Sequence, residues 1–468
     1  MRIKILISVF LTCNTLVWGQ FGPQQIIDPD ISNTRASIAA DLNGDGTLDL
    51  VSLTNVGNLL VWYSNLDGEG NFGEAQLISE DIDGTEQFRI ADMDSDGDLD
   101  IVFATNLVDK IGWLENLDGL ANFGPVNIIL EDQFVYSFEV GDLDGDNSPD
   151  VFALYNLPIG NEFVWFKNVD LGSSFVPNII EENWPEYTIV KLKDIDNDGD
   201  QDLLTGVNQG LAPGAFLWYE NLDGLGTLSE YNFIFQFDYF ASYQVVITNI
   251  SLEDINGDKI SDLVFSVVQP ETGFKIYWMK GLAELGTFNF PTEIDNPPGE
   301  HIIDLQLVDL DNDSDLDLLY GLSVANEIGW YENLEEPGSF APRRIISTEV
   351  DDLKNVLSGF INDDDLIDVF SVSTADTKLA WYENLGVLNV PDNNQNAFSV
   401  YPNPTSGDLN IDSPERIESI QVYNTVGQKL NHFTHSRNIT LAHLTPGMYF
   451  IKITAVSGFT KVERIIIN

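Results

Sequence analysis

The chain has 468 residues, 43% of them hydrophobic, enough to bury more than one core. It carries 75 acidic against 21 basic residues, a net charge of −54, and a surface of that sign repels nucleic acid and anionic lipid. Its one cysteine, Cys13, leaves no partner for a disulfide.

The first 19 residues read as a signal peptide. Arg2 and Lys4 precede an apolar run from Ile5 to Leu11, and Val17-Trp18-Gly19 supplies a cleavage site. The run is too short to span a bilayer, and no later stretch is long enough, so no transmembrane segment is expected in the mature chain. Residues 20–395 hold 70 acidic and 13 basic residues, a net of −57, whereas the tail from Asn396 carries five acidic and six basic.

Those acids recur. Nine-residue loops begin at Asp41, Asp92, Asp142, Asp194, Asp254 and Asp309, with a degraded seventh at Phe360. Tryptophans keep the same spacing at positions 62, 113, 165, 218, 278, 330 and 381, as do Phe-Gly-Pro or its relics at Phe21, Phe72, Phe123, Phe175, Phe288 and Phe340. Each unit of about 50 residues contains four short apolar runs separated by turn residues. The expectation is an all-β fold, a seven-bladed β-propeller of four-stranded blades over residues 20–386. The seventh unit lacks its last strand, and the segment Phe21-Gly22-Pro23-Gln24-Gln25-Ile26-Ile27 is the missing piece, so the N-terminal strand is expected to close the ring.

The acidic loops are the candidate sites. In Asp92-Met93-Asp94-Ser95-Asp96-Gly97-Asp98-Leu99-Asp100 the carboxylates at positions 1, 3, 5 and 9 can converge if the chain turns sharply at position 6. Many hard oxygen donors with a backbone carbonyl at position 7 suit Ca²⁺, one ion per competent loop. The candidate ligands are Asp41, Asn43, Asp45 and Asp49; Asp92, Asp94, Asp96, Asp98 and Asp100; Asp142, Asp144, Asp146 and Asp150; Asp194, Asp196, Asp198, Asp200 and Asp202; Asp254, Asn256, Asp258 and Asp262; and Asp309, Asp311, Asp313, Asp315 and Asp317. Gly46, Gly97 and Gly199 make their loops competent at position 6, and Asn147 tolerates the same turn. Ser314 and Lys259 are less favourable there, and Phe360 removes the first ligand of the seventh loop, which is expected to bind weakly or not at all.

These loops, the apolar strands after them and the Phe-Gly starts resemble the FG-GAP/VCBS repeat family, which also forms the head of integrin α-subunits. The resemblance spans residues 21 to about 386. It implies a seven-bladed propeller with calcium in its loops, and it implies no particular ligand.

The longest interval between loops holds Tyr231, Phe233, Phe235, Phe237 and Tyr239, aromatics at every second position. On a regular strand they would share one face, either covering the blade or forming a stacking platform for a sugar or polymer. No nucleophile elbow, zinc helix motif or phosphate loop is present, so a binding protein rather than an enzyme is expected. The alternative is a secreted polysaccharide-degrading hydrolase or lyase, or its accessory subunit.

Residues 387–396 read as a polar linker, and 397–468 as a second small domain. There Tyr401-Pro402-Asn403-Pro404, then Gly447-Met448-Tyr449, then Lys461 near the end resemble the type A C-terminal sorting domain of the type IX secretion system. That resemblance implies an immunoglobulin-like sandwich, export across the outer membrane through the type IX machinery of a Bacteroidetes-like bacterium, and removal near the linker. The mature protein is expected to be a monomer, secreted or held on the outer cell surface. Its partner there would be an extracellular protein or polysaccharide.

Overall fold

Four apolar runs per repeat fold into four antiparallel strands because each run is flanked by turn residues, and the two middle runs are largely buried on both sides. The computed structural model describes residues 20–468, with breaks at 32–33, 55–57, 106, 158–160, 185–186, 208–213, 238–245, 270–272, 283–285, 296–300, 335–337, 387–398, 414–415, 425–428, 446, 457–459 and 468. The expected signal peptide and linker lie outside the described residues, as does Tyr239. All regular elements among the described residues are strands.

The chain divides into two compact units, 1–387 and 388–468. In the first, the described strands form seven four-stranded sheets. The third is typical, running Phe134–Gly141, Asp150–Asn156, Asn161–Asn168 and Phe175–Trp184, each strand paired with the next. The leading strands of successive sheets touch in chain order, and Leu353–Gly359 of the seventh touches Thr34–Ala40 of the first. The sheets therefore form a ring. The seventh sheet takes its fourth strand from the other end of the chain. Gln25–Asp28 pairs with Lys378–Tyr382, Gly22 N–H donates to the Glu383 carbonyl (2.7 Å), and Leu385 N–H donates to the Gln20 carbonyl (2.7 Å).

Burial explains the loss of strict alternation. The second strands are almost wholly buried, as in Asp49–Thr54 and Asp100–Thr105, because both sheet faces pack against neighbouring sheets. The core thus lies between sheets. Leu42, Val51 and Trp62 of the first unit pack with Phe88, Ile101 and Leu114 of the second. The tryptophans complete these seams: Trp113 lies so close to Gly172 of the next unit that a Cβ there would come within 2.5 Å of the indole.

Polar rungs link the leading strands around the axis. Arg89 Nε meets Glu139 Oε1 at 2.8 Å, Lys191 Nζ meets Glu139 Oε2 at 3.0 Å, and Lys193 Nζ meets Glu253 Oε1 at 2.7 Å. A cavity of about 440 Å³ opens beside Lys191, Lys193, Glu253 and Gln306.

The second unit consists of a three-stranded sheet (Ser399–Tyr401, Asp408–Asp412 and Asn438–Thr440) and a four-stranded sheet (Ile417–Asn424, Lys429–Thr434, Gly447–Ala455 and Thr460–Ile467). Leu409, Ile411 and Ile439 of the first share one core with Ile420, Val422, Ile451, Ile453 and Ile465 of the second. In the Tyr-Pro-Asn-Pro segment both X-Pro bonds, Tyr401-Pro402 and Asn403-Pro404, are cis.

Candidate metal centres

Each acidic loop joins the first two strands of its sheet, so all seven loops project from one end of the ring. They are numbered here 1 (41–49), 2 (92–100), 3 (142–150), 4 (194–202), 5 (254–262), 6 (309–317) and 7 (360–368). Loops 1 to 6 share one backbone design. The carboxylate at position 1 accepts the N–H of position 5 at 3.0–3.2 Å and that of position 6 at 2.7–3.0 Å. In all seven loops the carboxylate at position 5 accepts the N–H of position 7 at 2.9–3.2 Å.

Position 6 has positive φ throughout, from +61° at Asp365 to +106° at Gly199. Lys259 (+68°) and Ser314 (+79°) adopt it without glycine. Ser314, the less favourable residue, still makes the turn: its N–H reaches Asp309 Oδ2 at 3.0 Å, the bond Gly97 N–H makes to Asp92. Position 4 also turns through positive φ in loops 1 to 6, at Gly44, Ser95, Gly145, Asn197, Gly257 and Asn312, a second requirement the sequence reading missed.

Loop carboxylates come together in four sets whose oxygens lie within 4.8 Å of one another: Asp92/Asp94/Asp96, Asp142/Asp144/Asp146, Asp194/Asp196/Asp202 and Asp309/Asp311/Asp317. Asp200 Oδ1, Asp311 Oδ1 and Asp315 Oδ1 are enclosed and meet no hydrogen-bond donor. That oxygen-only donor set fits a hard divalent cation.

The ninth aspartate has a further role. Asp49, Asp100, Asp150, Asp202, Asp262, Asp317 and Asp368 are completely buried. One oxygen of each accepts, at 2.7–2.9 Å, the N–H of the residue at, or two positions past, the end of the third strand: Asn65, Asn116, Asn168, Asn221, Gly281, Asn333 or Asn384. In loops 2, 3, 4, 6 and 7 the other oxygen takes the N–H of position 2. Burial pushes these carboxyls up despite the two N–H bonds, to about 7 at Asp100 and Asp202 and about 8 at Asp317.

The strand-end asparagines reach further still. Asn65, Asn116, Asn168, Asn221, Asn333 and Asn384 each donate from Nδ2, at 2.7–2.9 Å, to the position-2 carbonyl of the preceding unit's loop (for Asn65, that of loop 7). Gly281 cannot do so, and a Cβ there would collide with the Ser261 carbonyl. This latch was legible only as a recurrent Asn after Trp-x-x.

The residue before each asparagine decides the charge at the loop. It is Glu115, Glu220 and Glu332 beside loops 2, 4 and 6. Burial raises the Asp94 carboxyl first, and the charges of Asp96, Glu115 and Asp92 add to it. Asp196 is raised likewise by burial and by Asp198, Glu220 and Asp194. Asp311 rises to about 6 from burial, then Asp313 and Glu332. Beside loops 3 and 5 the residue is a lysine. Lys167 Nζ sits against Asp144 Oδ2 and 3.7 Å from Asp146 Oδ2, and Lys280 Nζ lies 2.8 Å from Asp258 Oδ2 and 3.4 Å from Asn256 Oδ1. Burial alone would raise Asp258, but bonds from Lys280 and the Ile260 N–H hold it below the usual range.

The four described aromatics of the long interval, Tyr231, Phe233, Phe235 and Phe237, do not form one face. A bulge in the pairing with Ala215–Tyr219 shifts the register between Phe233 and Phe235 and breaks the alternation. Phe237 is buried against Phe216 and Phe265, Phe235 packs beside it (5.1 Å between centroids), and Tyr231 packs toward Tyr219. Phe233 alone of these is exposed, at 59%. The stacking-platform expectation is corrected for these four: Phe237 is buried, Tyr231 and Phe235 are half-buried against the blade, and only Phe233 faces outward.

Residues 41–103, 92–153 and 254–320 match the FG-GAP-like repeat, and residues 399–468 match the secretion system C-terminal sorting domain. No curated protein matches the chain. Among solved structures, BBS1N in complex with ARL6DN, soaked with mercury, is 12% identical with a TM-score of 0.50, over 78% of this chain and 97% of that one. The Dos1 propeller is 11% identical with a TM-score of 0.48, over 78% and 96%. Likenesses at this identity concern the fold alone. No helix among the described residues is long and apolar enough to cross a membrane.

Proposed function

We propose that this chain, a β-propeller of FG-GAP-like repeats ending in a type IX secretion sorting domain, is a calcium-loaded recognition module that works outside the cell. Its seven sheets are read as seven blades, and the C-terminal sandwich as an immunoglobulin-like domain that engages the secretion machinery. The observation that carries the reading is the repeated loop. Six loops present side-chain oxygens in one backbone design, and four of them bring three carboxylates within 4.8 Å of one another. Where no lysine enters the cluster, as in loops 2, 4 and 6, holding such carboxylates together without a metal ion costs repulsion.

Calcium would be held by the side chains at positions 1, 3 and 5, with position 9 adding to its backbone bonds, and position 7 in loops 2, 4 and 6. Its contribution is rigidity of the acidic end of the ring. Recognition of an extracellular protein or polysaccharide, without turnover, is the role this rigid surface supports, because the clustered acids are committed to loop bonds and cation sites. The test is thermal unfolding of the secreted chain in excess EDTA, then with calcium or magnesium restored. A large fall reversed by Ca²⁺ but not by equal Mg²⁺ supports the reading; no change, with no calcium by elemental analysis, overturns it. Incubation with a panel of plant and algal glycans separates binding from catalysis, since released product would replace the recognition role with an enzymatic one.

A further inference from the structure

We infer that Lys167 and Lys280 are built-in cations that take the place of metal in loops 3 and 5. This inference rests on the calcium reading above and sorts the loops within it.

The sorting follows from one position per unit. The residue just before the strand-end Asn or Gly points at its own acidic loop. In units 2, 4 and 6 it is a glutamate, and position 7 of the same loops is also acidic: Asp98, Asp200 and Asp315. Each of these sites gathers five aspartates and one glutamate, six carboxyl groups in all. Loop 3 has Ser148 at position 7 and Lys167 in place of the glutamate; loop 5 has Ile260 and Lys280. Counted over the same positions, loop 3 carries four aspartates against one lysine, and loop 5 three against one.

Geometry makes the substitution specific. Each ammonium reaches side-chain oxygens of positions 3 and 5 of its loop: Lys167 those of Asp144 and Asp146, and Lys280 those of Asn256 and Asp258. These are oxygens a metal in the loop would require. An ammonium and a Ca²⁺ ion cannot share them, both for space and for charge. Loop 6 is different, since its nearby cation, Arg344, pairs with Glu332 rather than with loop aspartates. Loop 1, with Ser64 in the deciding position, has no such cation and stays open to metal.

The experiment counts calcium per full-length secreted chain by equilibrium dialysis after chelation, with melting temperature as a second readout. Lys167→Glu is expected to gain one bound ion and to become more dependent on calcium for its melting temperature. Glu115→Lys is expected to lose one ion and to become less sensitive to EDTA. Lys167→Met should melt lower than wild type in EDTA and recover when calcium is added. The inference is overturned if Asp144→Asn removes an ion from the wild-type count, since loop 3 would then be a metal site despite its lysine. An unchanged count in folded Lys167→Glu also overturns it, while leaving the calcium reading intact. Absence of calcium from wild type and every variant overturns both.

Discussion

Loops 2 and 7 occupy equivalent places in the ring and end in equivalent aspartates, yet only loop 2 retains a full ligand set. Loop 7 has lost the carboxylate at position 1 to Phe360, which is 54% exposed, and its position 3 is Asn362. It loses the two backbone bonds made by position 1 but keeps the clamp made by position 9. Asp368 takes the N–H of Asn384 at 2.7 Å and of Ile361 at 3.3 Å, as Asp100 takes those of Asn116 and Met93 at 2.8 Å. The motif therefore contains two separable devices: a buried carboxylate that fastens the loop to its own sheet, and a less buried set of carboxylates that holds the turn and gathers charge. Degeneration has removed the second while leaving the first.

Four measurements would sharpen or break that separation. The largest effect belongs to metal. At a calcium concentration a hundredfold above the dissociation constant each occupied site adds about 2.7 kcal/mol, so chelating loops 2, 4 and 6 should cost roughly 8 kcal/mol, seen as a drop in melting temperature. Next, Asp368→Ala should destabilise by roughly 2–5 kcal/mol in denaturant unfolding, because two buried N–H groups lose their acceptor. It should do so equally with and without calcium. A loss appearing only in calcium would mean that loop 7 is a metal site and that the separation is false.

Asn116→Ala should cost about 1–3 kcal/mol by stranding the Leu42 carbonyl. The smallest effect is expected for Phe360→Asp, within about 0.5 kcal/mol in calcium-free buffer, since surface positions tolerate such changes. A gain of one ion in that variant would show that position 1 alone separates loop 7 from loop 1.

Much of this was legible in the sequence because it repeats. Acidic loops, tryptophans and Phe-Gly starts on a common spacing announced a ring of four-stranded units, and the seventh unit's missing strand pointed to the N-terminus. Local chemistry was legible too, as in the turn at position 6. What was hidden depends on which atoms face each other across strands. Asp100 reads as a fifth ligand in the sequence, but its burial and its two N–H donors appear only once the first and third strands are placed. Lys167 reads as an ordinary strand residue until its ammonium is found against Asp144. The aromatic run from Tyr231 misled because a single bulge near Ile234 undoes the period-two alternation on which the face argument relied.

The asparagine latch gives the ring a handedness of communication. The peptide at position 2 of most loops has its N–H held by its own unit and its carbonyl held by the next. Any strain that cation binding places on a loop is therefore felt across one seam, by the unit that follows, and the ring behaves as a circle of coupled neighbours rather than seven independent sites. Coupling energies are reciprocal, so loosening a latch should weaken the ion behind it. At Gly281 the circle is interrupted. Hydrogen exchange should reveal the seam between the fourth and fifth units as the place where protection is lowest, giving an otherwise endless structure a beginning and an end.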